Sequence, residues 1–133
     1  MRQSIVVIED DEAIRWLIKK VLERTYDVHV FSHVGNAMKH MSQYGHPDIV
    51  MTDIRLPVID GKDFLRNFKR SGLYGDIPVI VISSWNDDAT RQECMDAGAE
   101  DYIAKPFNPE DLINKVGSVL KKKKKEKSDS LLS

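Results

Sequence analysis

A chain of 133 residues, 41% hydrophobic and 31% charged, has the size and balance of one globular domain with its own core. Its single cysteine, Cys94, excludes an internal disulfide and a cysteine-built zinc cage. The net charge of −1 conceals two parts of opposite sign: from Lys121 to Ser133 six lysines stand against Glu126 and Asp129, a balance of +4 that leaves −5 for the rest, and so acidic a body argues against nucleic-acid binding by that body.

Met1-Arg2-Gln3-Ser4 lacks the apolar run of a signal peptide. No apolar stretch approaches the roughly 18 residues of a membrane span. The expected setting is the cytoplasm, away from membranes.

Ser4 to Ile8 is a continuous apolar, mostly β-branched run, as in a strand buried on both faces. It ends in Glu9-Asp10-Asp11. Ile14, Leu17, Ile18, Val21 and Leu22 then repeat with helical spacing, and Asp11 is placed to cap that helix. Asp27 to Phe31 predicts a short strand and Gly35 to Tyr44 a weaker helix, closed by the Gly45-His46-Pro47 break. The third strand is expected over Asp48 to Asp53. A Leu56-Pro57-Val58-Ile59-Asp60-Gly61 loop follows, and then a helix through Phe64, Leu65 and Phe68 to about Ser71-Gly72.

Pro78 to Ser83 predicts a fourth strand with proline at its start, where no ladder donor is lost. A helix with a thin apolar face is expected over Asp87 to Ala97, stopped by Gly98. A short strand, Glu100 to Ala104, and a Lys105-Pro106-Phe107 turn lead to the last helix. Asn108 caps it, Pro109 opens it, and Leu112, Ile113, Val116, Val119 and Leu120 form its apolar stripe. Residues 1–120 make the expected domain. Residues 121–133 show no apolar periodicity and are expected to fray into a disordered lysine-rich tail. That tail reads as a solvated end, as a basic arm for nucleic acid or anionic lipid, or as a linker toward another domain.

Strands alternating with helices predict an α/β sheet covered on both faces, with ligands bound beyond the carboxyl ends of the strands. Glu9, Asp10, Asp53, Ser83 and Lys105 all fall at such ends. Three carboxylates at one crevice repel one another, and a hard divalent cation relieves that repulsion. An all-oxygen donor set with open positions suits Mg²⁺. Asp10 and Asp53 are the candidate direct ligands, with Glu9 binding directly or through water. Asp53 is the candidate phosphoryl acceptor, since a carboxylate already deprotonated at neutral pH needs no base. Ser83 and Lys105 are placed to contact phosphoryl oxygens. His29, His33, His40 and His46 show no spacing that suggests a metal site or a catalytic base.

Five motifs in this order and spacing resemble the receiver domain of bacterial two-component response regulators over residues 4–120. They are Val7-Ile8-Glu9-Asp10-Asp11-Glu12; Thr52-Asp53-Ile54-Arg55-Leu56-Pro57 with Asp60-Gly61; Pro78 to Ser84; Gly98-Ala99-Glu100-Asp101-Tyr102; and Lys105-Pro106-Phe107. The resemblance implies a flavodoxin-like, doubly wound α/β fold with a five-stranded parallel sheet in the order 2-1-3-4-5. It implies that Asp53 accepts a phosphoryl group from a sensor histidine kinase or phosphotransfer protein. It further implies that Asp10, Asp53 and the Arg55 carbonyl bind Mg²⁺ (or Mn²⁺) with help from Glu9. Ser83 would be the switch hydroxyl, Tyr102 the switch aromatic that moves inward on activation, and the Lys105-Pro106 bond cis. The fourth helix, fifth strand and fifth helix would form the face that docks a partner or a second copy.

Ser83 stands where threonine is commoner in that family. Arg55 and Trp85, each two residues beyond a site residue, are expected to border the path of an attacking water and to slow loss of the phosphoryl group. Taken singly, Asp53 could start an Asx-turn, Glu9 to Asp11 could cap a helix, and Lys105 could be a solvated charge; their joint occurrence favours the site.

Alternatives are a degenerate receiver that binds protein without phosphorylation, and the receiver part of a longer DNA-binding regulator, although no helix-turn-helix follows Leu120. An aspartyl-phosphate phosphatase places a second acid two residues after its nucleophile, where this chain has Arg55. A dinucleotide binder needs a G-x-G-x-x-G turn that the first strand lacks. The expected activity is therefore signalling with self-assisted phosphorylation and dephosphorylation, and no turnover of an outside substrate.

Overall fold

The computed structural model describes residues 2–55, 60–85 and 87–132. In chain order the elements are β1 (Ser4–Ile8), α1 (Glu12–Leu22), β2 (Asp27–Phe31), α2 (Val34–Tyr44), β3 (Ile49–Asp53), α3 (Gly61–Arg70), β4 (Val79–Ser83), α4 (Asp88–Asp96), β5 (Asp101–Ala104) and α5 (Pro109–Leu132). The strands are all parallel, in the order β2-β1-β3-β4-β5. This is the doubly wound sheet expected. Leu56, Pro57, Val58 and Ile59 of the loop after β3 lie outside the described residues, as do Met1, Asn86 and Ser133.

The apolar runs of the central strands divide by parity, because successive side chains leave a strand on opposite faces. Val6, Ile8, Val50, Val79 and Val81 pack with Ala37 and Met41 of α2, Leu65 and Phe68 of α3, and Cys94 of α4. Ile5, Val7, Ile49, Met51, Ile80 and Ile82 pack with Ile18 and Leu22 of α1 and with Leu112 and Val116 of α5. Two cores thus clamp β1, β3 and β4 from both sides and hold their carboxyl ends at one level. The strand order reverses between β1 and β3, which opens the crevice expected at a switch point.

Local chemistry sets the ends of the elements. Asp11 accepts the amide of Ile14, Asp60 that of Lys62, Asp87 that of Thr90 and Asn108 that of Asp111. Gly61 lies against the chain leaving β3: a Cβ there would sit 2.4 Å from the Cα and carbonyl oxygen of Ile54. Gly98, with φ of +111°, ends the α4 turn as expected.

Two expectations need correction. Ile113, assigned to the buried stripe of α5, is 47% exposed, because the stripe follows Leu112, Val116, Val119 and Leu120 and leaves Ile113 on its flank. The lysine run, expected to fray, continues α5 as helix to Leu132. Lysine and glutamate are good helix formers, and neither glycine nor proline interrupts residues 118–132.

Candidate functional site

The site forms where the loops after β1, β3, β4 and β5 leave the carboxyl edge of the sheet. Glu9 follows β1, and its amide donates to the carbonyl of Phe31, extending the β1–β2 pairing by one residue. Its side chain is fully buried, at 0% exposure, and accepts the Asp11 amide at 3.2 Å. Asp10 is exposed beside it. Asp53 ends β3 at 4% exposure, and its Oδ1 accepts the amide of Arg55 at 2.8 Å.

Lys105 follows β5, where its amide donates to the Ser83 carbonyl. Its Nζ reaches across the sheet edge to donate to Asp53 Oδ2 at 2.5 Å and to both carboxylate oxygens of Glu9 at 3.0 Å. The Lys105-Pro106 peptide bond is cis.

Carboxylate oxygens of Glu9, Asp10 and Asp53 lie within 4.8 Å of one another. One ammonium among three acids under-compensates the cluster, and the pKa values register this. Burial, reinforced by the hydrogen-bonded neighbour Asp53 and only partly opposed by Lys105, pushes the Glu9 carboxyl up to about 7. Burial pulls the Lys105 ammonium down, but its hydrogen bonds to Asp53 and Glu9 outweigh that and leave its pKa raised. The donors are all oxygen and the site has surplus negative charge, so a hard divalent cation fits it.

The fourth and fifth strands add a second half. Ser83, the last residue of β4, is fully buried, and its Oγ accepts the Trp85 amide at 3.0 Å. The Tyr102 hydroxyl donates to the Trp85 carbonyl. Tyr102 is 3% exposed, so the aromatic expected to move inward on activation is already inside here. Burial raises its pKa, against the opposite pull of its hydrogen bond with Ser83. The Arg55 guanidinium lies over the Trp85 ring at 4.2 Å, joining the loop after β3 to the loop after β4.

Asp10, Asp53, Ser83 and Lys105 therefore meet at one rim, with Glu9 beneath and Arg55, Trp85 and Tyr102 along one side. Sequence reasoning missed Arg15. Its Nη1 donates to the carbonyls of Glu9 at 2.8 Å and Asp10 at 2.9 Å, holding the acidic turn against α1. Only its position four residues after the cap Asp11 hinted at this. Sequence reasoning also missed a ring contact: the rings of His29 and His40 lie 4.6 Å apart, with Phe31 and Tyr44 packed on His40. The pairing crosses from β2 to α2, and the sequence spacing does not express it. Burial, then the nearby His29, lowers the His40 pKa.

Comparison with known proteins bears on this rim. The family model described as the response regulator receiver domain matches residues 5–117. The phosphate regulon transcriptional regulatory protein PhoB of Escherichia coli is 30% identical over 122 residues, covering 92% of this chain and 53% of that protein. The response regulator MprA of Mycobacterium bovis is 31% identical over 127 residues, covering 95% of this chain and 54% of that protein. The chain thus spans about half the length of these relatives. A CheY-like response regulator receiver domain protein from Methanospirillum hungatei superposes with a TM-score of 0.85 at 27% identity, covering 95% of this chain and 99% of that one. Among the described residues, no helix is long and apolar enough to cross a membrane.

Proposed function

Because the chain belongs to the response regulator receiver family, we propose that it is a cytoplasmic two-component switch turned on by phosphorylation of Asp53. The donor is a sensor histidine kinase or a phosphotransfer protein. A carboxylate oxygen of Asp53 attacks the phosphorus of a phosphohistidine; the new P–O bond forms as the P–N bond breaks, and the imidazole leaves. Reversal to the ground state is hydrolysis: water attacks phosphorus, inorganic phosphate departs and the Asp53 carboxylate returns.

The observation that carries this reading is the Lys105 Nζ held against Asp53 Oδ2 and both oxygens of Glu9. A cation aimed at the acceptor is positioned to neutralise the oxygens of an arriving phosphoryl group. Glu9, Asp10, Asp53 and the Arg55 carbonyl are the proposed holders of Mg²⁺ or Mn²⁺. When bound, the ion supplies further charge neutralisation at the phosphoryl oxygens. Ser83 donates its hydroxyl to the phosphoryl group, and its exchange of partners is felt by Trp85 and Tyr102, which share its hydrogen bonds.

The resulting population shift is read out on the face made by α4, β5 and α5. A cavity of about 280 Å³ there is lined by Asp88, Arg91, Tyr102, Ile103, Pro106 and Lys115, and it suits a docked partner or a second copy of the chain. The Arg55–Trp85 stack is proposed to bar water from the phosphoryl group and lengthen the life of the phospho-form.

Incubation with Mg²⁺ and acetyl phosphate, followed by intact mass, tests the reading. One phosphoryl mass is expected on the wild-type chain and none on Asp53→Asn. A gain retained in Asp53→Asn would move the acceptor elsewhere. No gain on the wild type would favour a binding module that works without phosphorylation.

A further inference from the structure

The C-terminal half of α5 is outside the family match and takes no part in the rim. Lys121 to Leu132 continue the helix for 12 residues, about 18 Å at the ordinary helical rise. Lys121, Lys122, Lys124, Lys125 and Lys127 are exposed, and Lys123 is partly buried. Among the described residues, none of these six ammonium groups has an ion-pair partner, whereas Lys62, Lys69, Lys105 and Lys115 each meet a carboxylate. Lys121, Lys122, Lys124 and Lys125 share one open side of the helix with Ser118, Ser128 and Asp129.

Successive residues turn by about 100° around a helix, so the six lysines leave no gap wider than about 100° around the axis. From Lys121 to Asp129 there is no apolar residue. A flat anionic lipid surface meets one side of a helix and is strengthened by an apolar stripe that this segment lacks. A groove with phosphates on both walls meets several sides at once. The B-form major groove, about 12 Å wide, admits a helix of about 10–12 Å, whereas the major groove of duplex RNA is too narrow.

We propose that the extended half of α5 binds double-stranded DNA through its phosphates, without reading sequence. The segment has no asparagine, glutamine or arginine, the side chains that pair with base edges in two places and set sequence preference. The rest of the chain, at −5, is repelled by the same phosphates, so the helix projects into the groove while the body stays outside it.

The test is fluorescence anisotropy of the full chain with a labelled DNA duplex of about 20 base pairs in several unrelated sequences. Duplex RNA and phosphatidylserine-containing vesicles are run beside it. Four phosphate contacts predict affinity falling roughly a hundredfold between about 50 and 200 mM salt, equally for every sequence. The combined variant Lys121→Gln, Lys122→Gln, Lys124→Gln and Lys125→Gln is expected to lose at least about tenfold in affinity. No DNA binding at the lower salt, binding unchanged in the four-lysine variant, or tighter binding to vesicles or RNA would each overturn the proposal.

Discussion

Two groups of lysine in this molecule differ in almost everything but their side chain. Lys105 is largely buried and held between Glu9 and Asp53 across the sheet edge. Lys121 to Lys125 stand on a helix beyond the sheet with no carboxylate partner among the described residues. Water decides what each group contributes. Charges removed from solvent interact strongly and are costly to leave unpaired, whereas solvated charges contribute little to stability and act on partners at longer range.

The largest effect expected from that contrast follows removal of Lys105. Lys105→Ala leaves Glu9 and Asp53 buried without their cation, which should cost about 3 kcal/mol or more in urea unfolding at pH 8. Excess Mg²⁺ should restore more stability to this variant than to the wild type. A loss below about 0.5 kcal/mol would mean that the ion triad contributes no more than a surface pair.

The next effect concerns Glu9. Its folded-state pKa of about 7 lies above its ordinary value of 4.5, so the folded chain holds the proton more tightly than the unfolded one. The stability this supplies is complete below about pH 4.5 and is lost as pH rises through about 7, amounting to at most about 3 kcal/mol. Without divalent cations, Glu9→Gln should therefore gain on the wild type between pH 5 and 8 and flatten this part of the profile. Parallel wild-type and variant profiles would place the Glu9 carboxyl in its ordinary range. Because a cation favours the ionised carboxylate, Mg²⁺ should shrink the difference.

A smaller effect is expected at the Arg55–Trp85 stack. A partly exposed cation–π contact stabilises by about 0.5–1 kcal/mol, so Arg55→Ala or Trp85→Ala should shorten the phospho-form lifetime by about two- to fivefold. A dephosphorylation time course reads this directly, and unchanged or slower decay in both variants would remove the stack from the account. The smallest effect belongs to the outer lysines. The four-glutamine variant of the α5 extension should unfold within about 0.5 kcal/mol of the wild type. A larger change would show that the extension is tied to the domain.

The rim was legible because continuous apolar runs mark strands buried on both faces, and the polar residue that ends each run marks the strand's carboxyl end. Once Ser4 to Ile8, Asp48 to Asp53 and Pro78 to Ser83 are read as buried strands, Glu9, Asp53 and Ser83 must emerge on one edge. Features that depend on side chains crossing between elements were not legible. Arg15 reaches backbone carbonyls rather than a complementary side chain, so no charge pattern announces it. The His29–His40 pair joins a strand to a helix. Whether Tyr102 points inward depends on a hydrogen bond to a backbone carbonyl, which any residue at position 85 supplies. The α5 extension was misread for a different reason: apolar periodicity was asked to detect a helix that rests on intrinsic propensity, and Lys121 to Lys127 have the second without the first.

The central claim is that Asp53, rather than its acidic neighbours, receives the phosphoryl group. Borohydride reduction of the freshly phosphorylated chain, followed by peptide mass mapping, tests it most directly, because an acyl phosphate is reduced to an alcohol at the acceptor and nowhere else. The account predicts the reduced side chain at position 53 alone, dependent on prior phosphorylation. Reduction at Glu9 or Asp10, or none in a chain that has gained a phosphoryl mass, would contradict it.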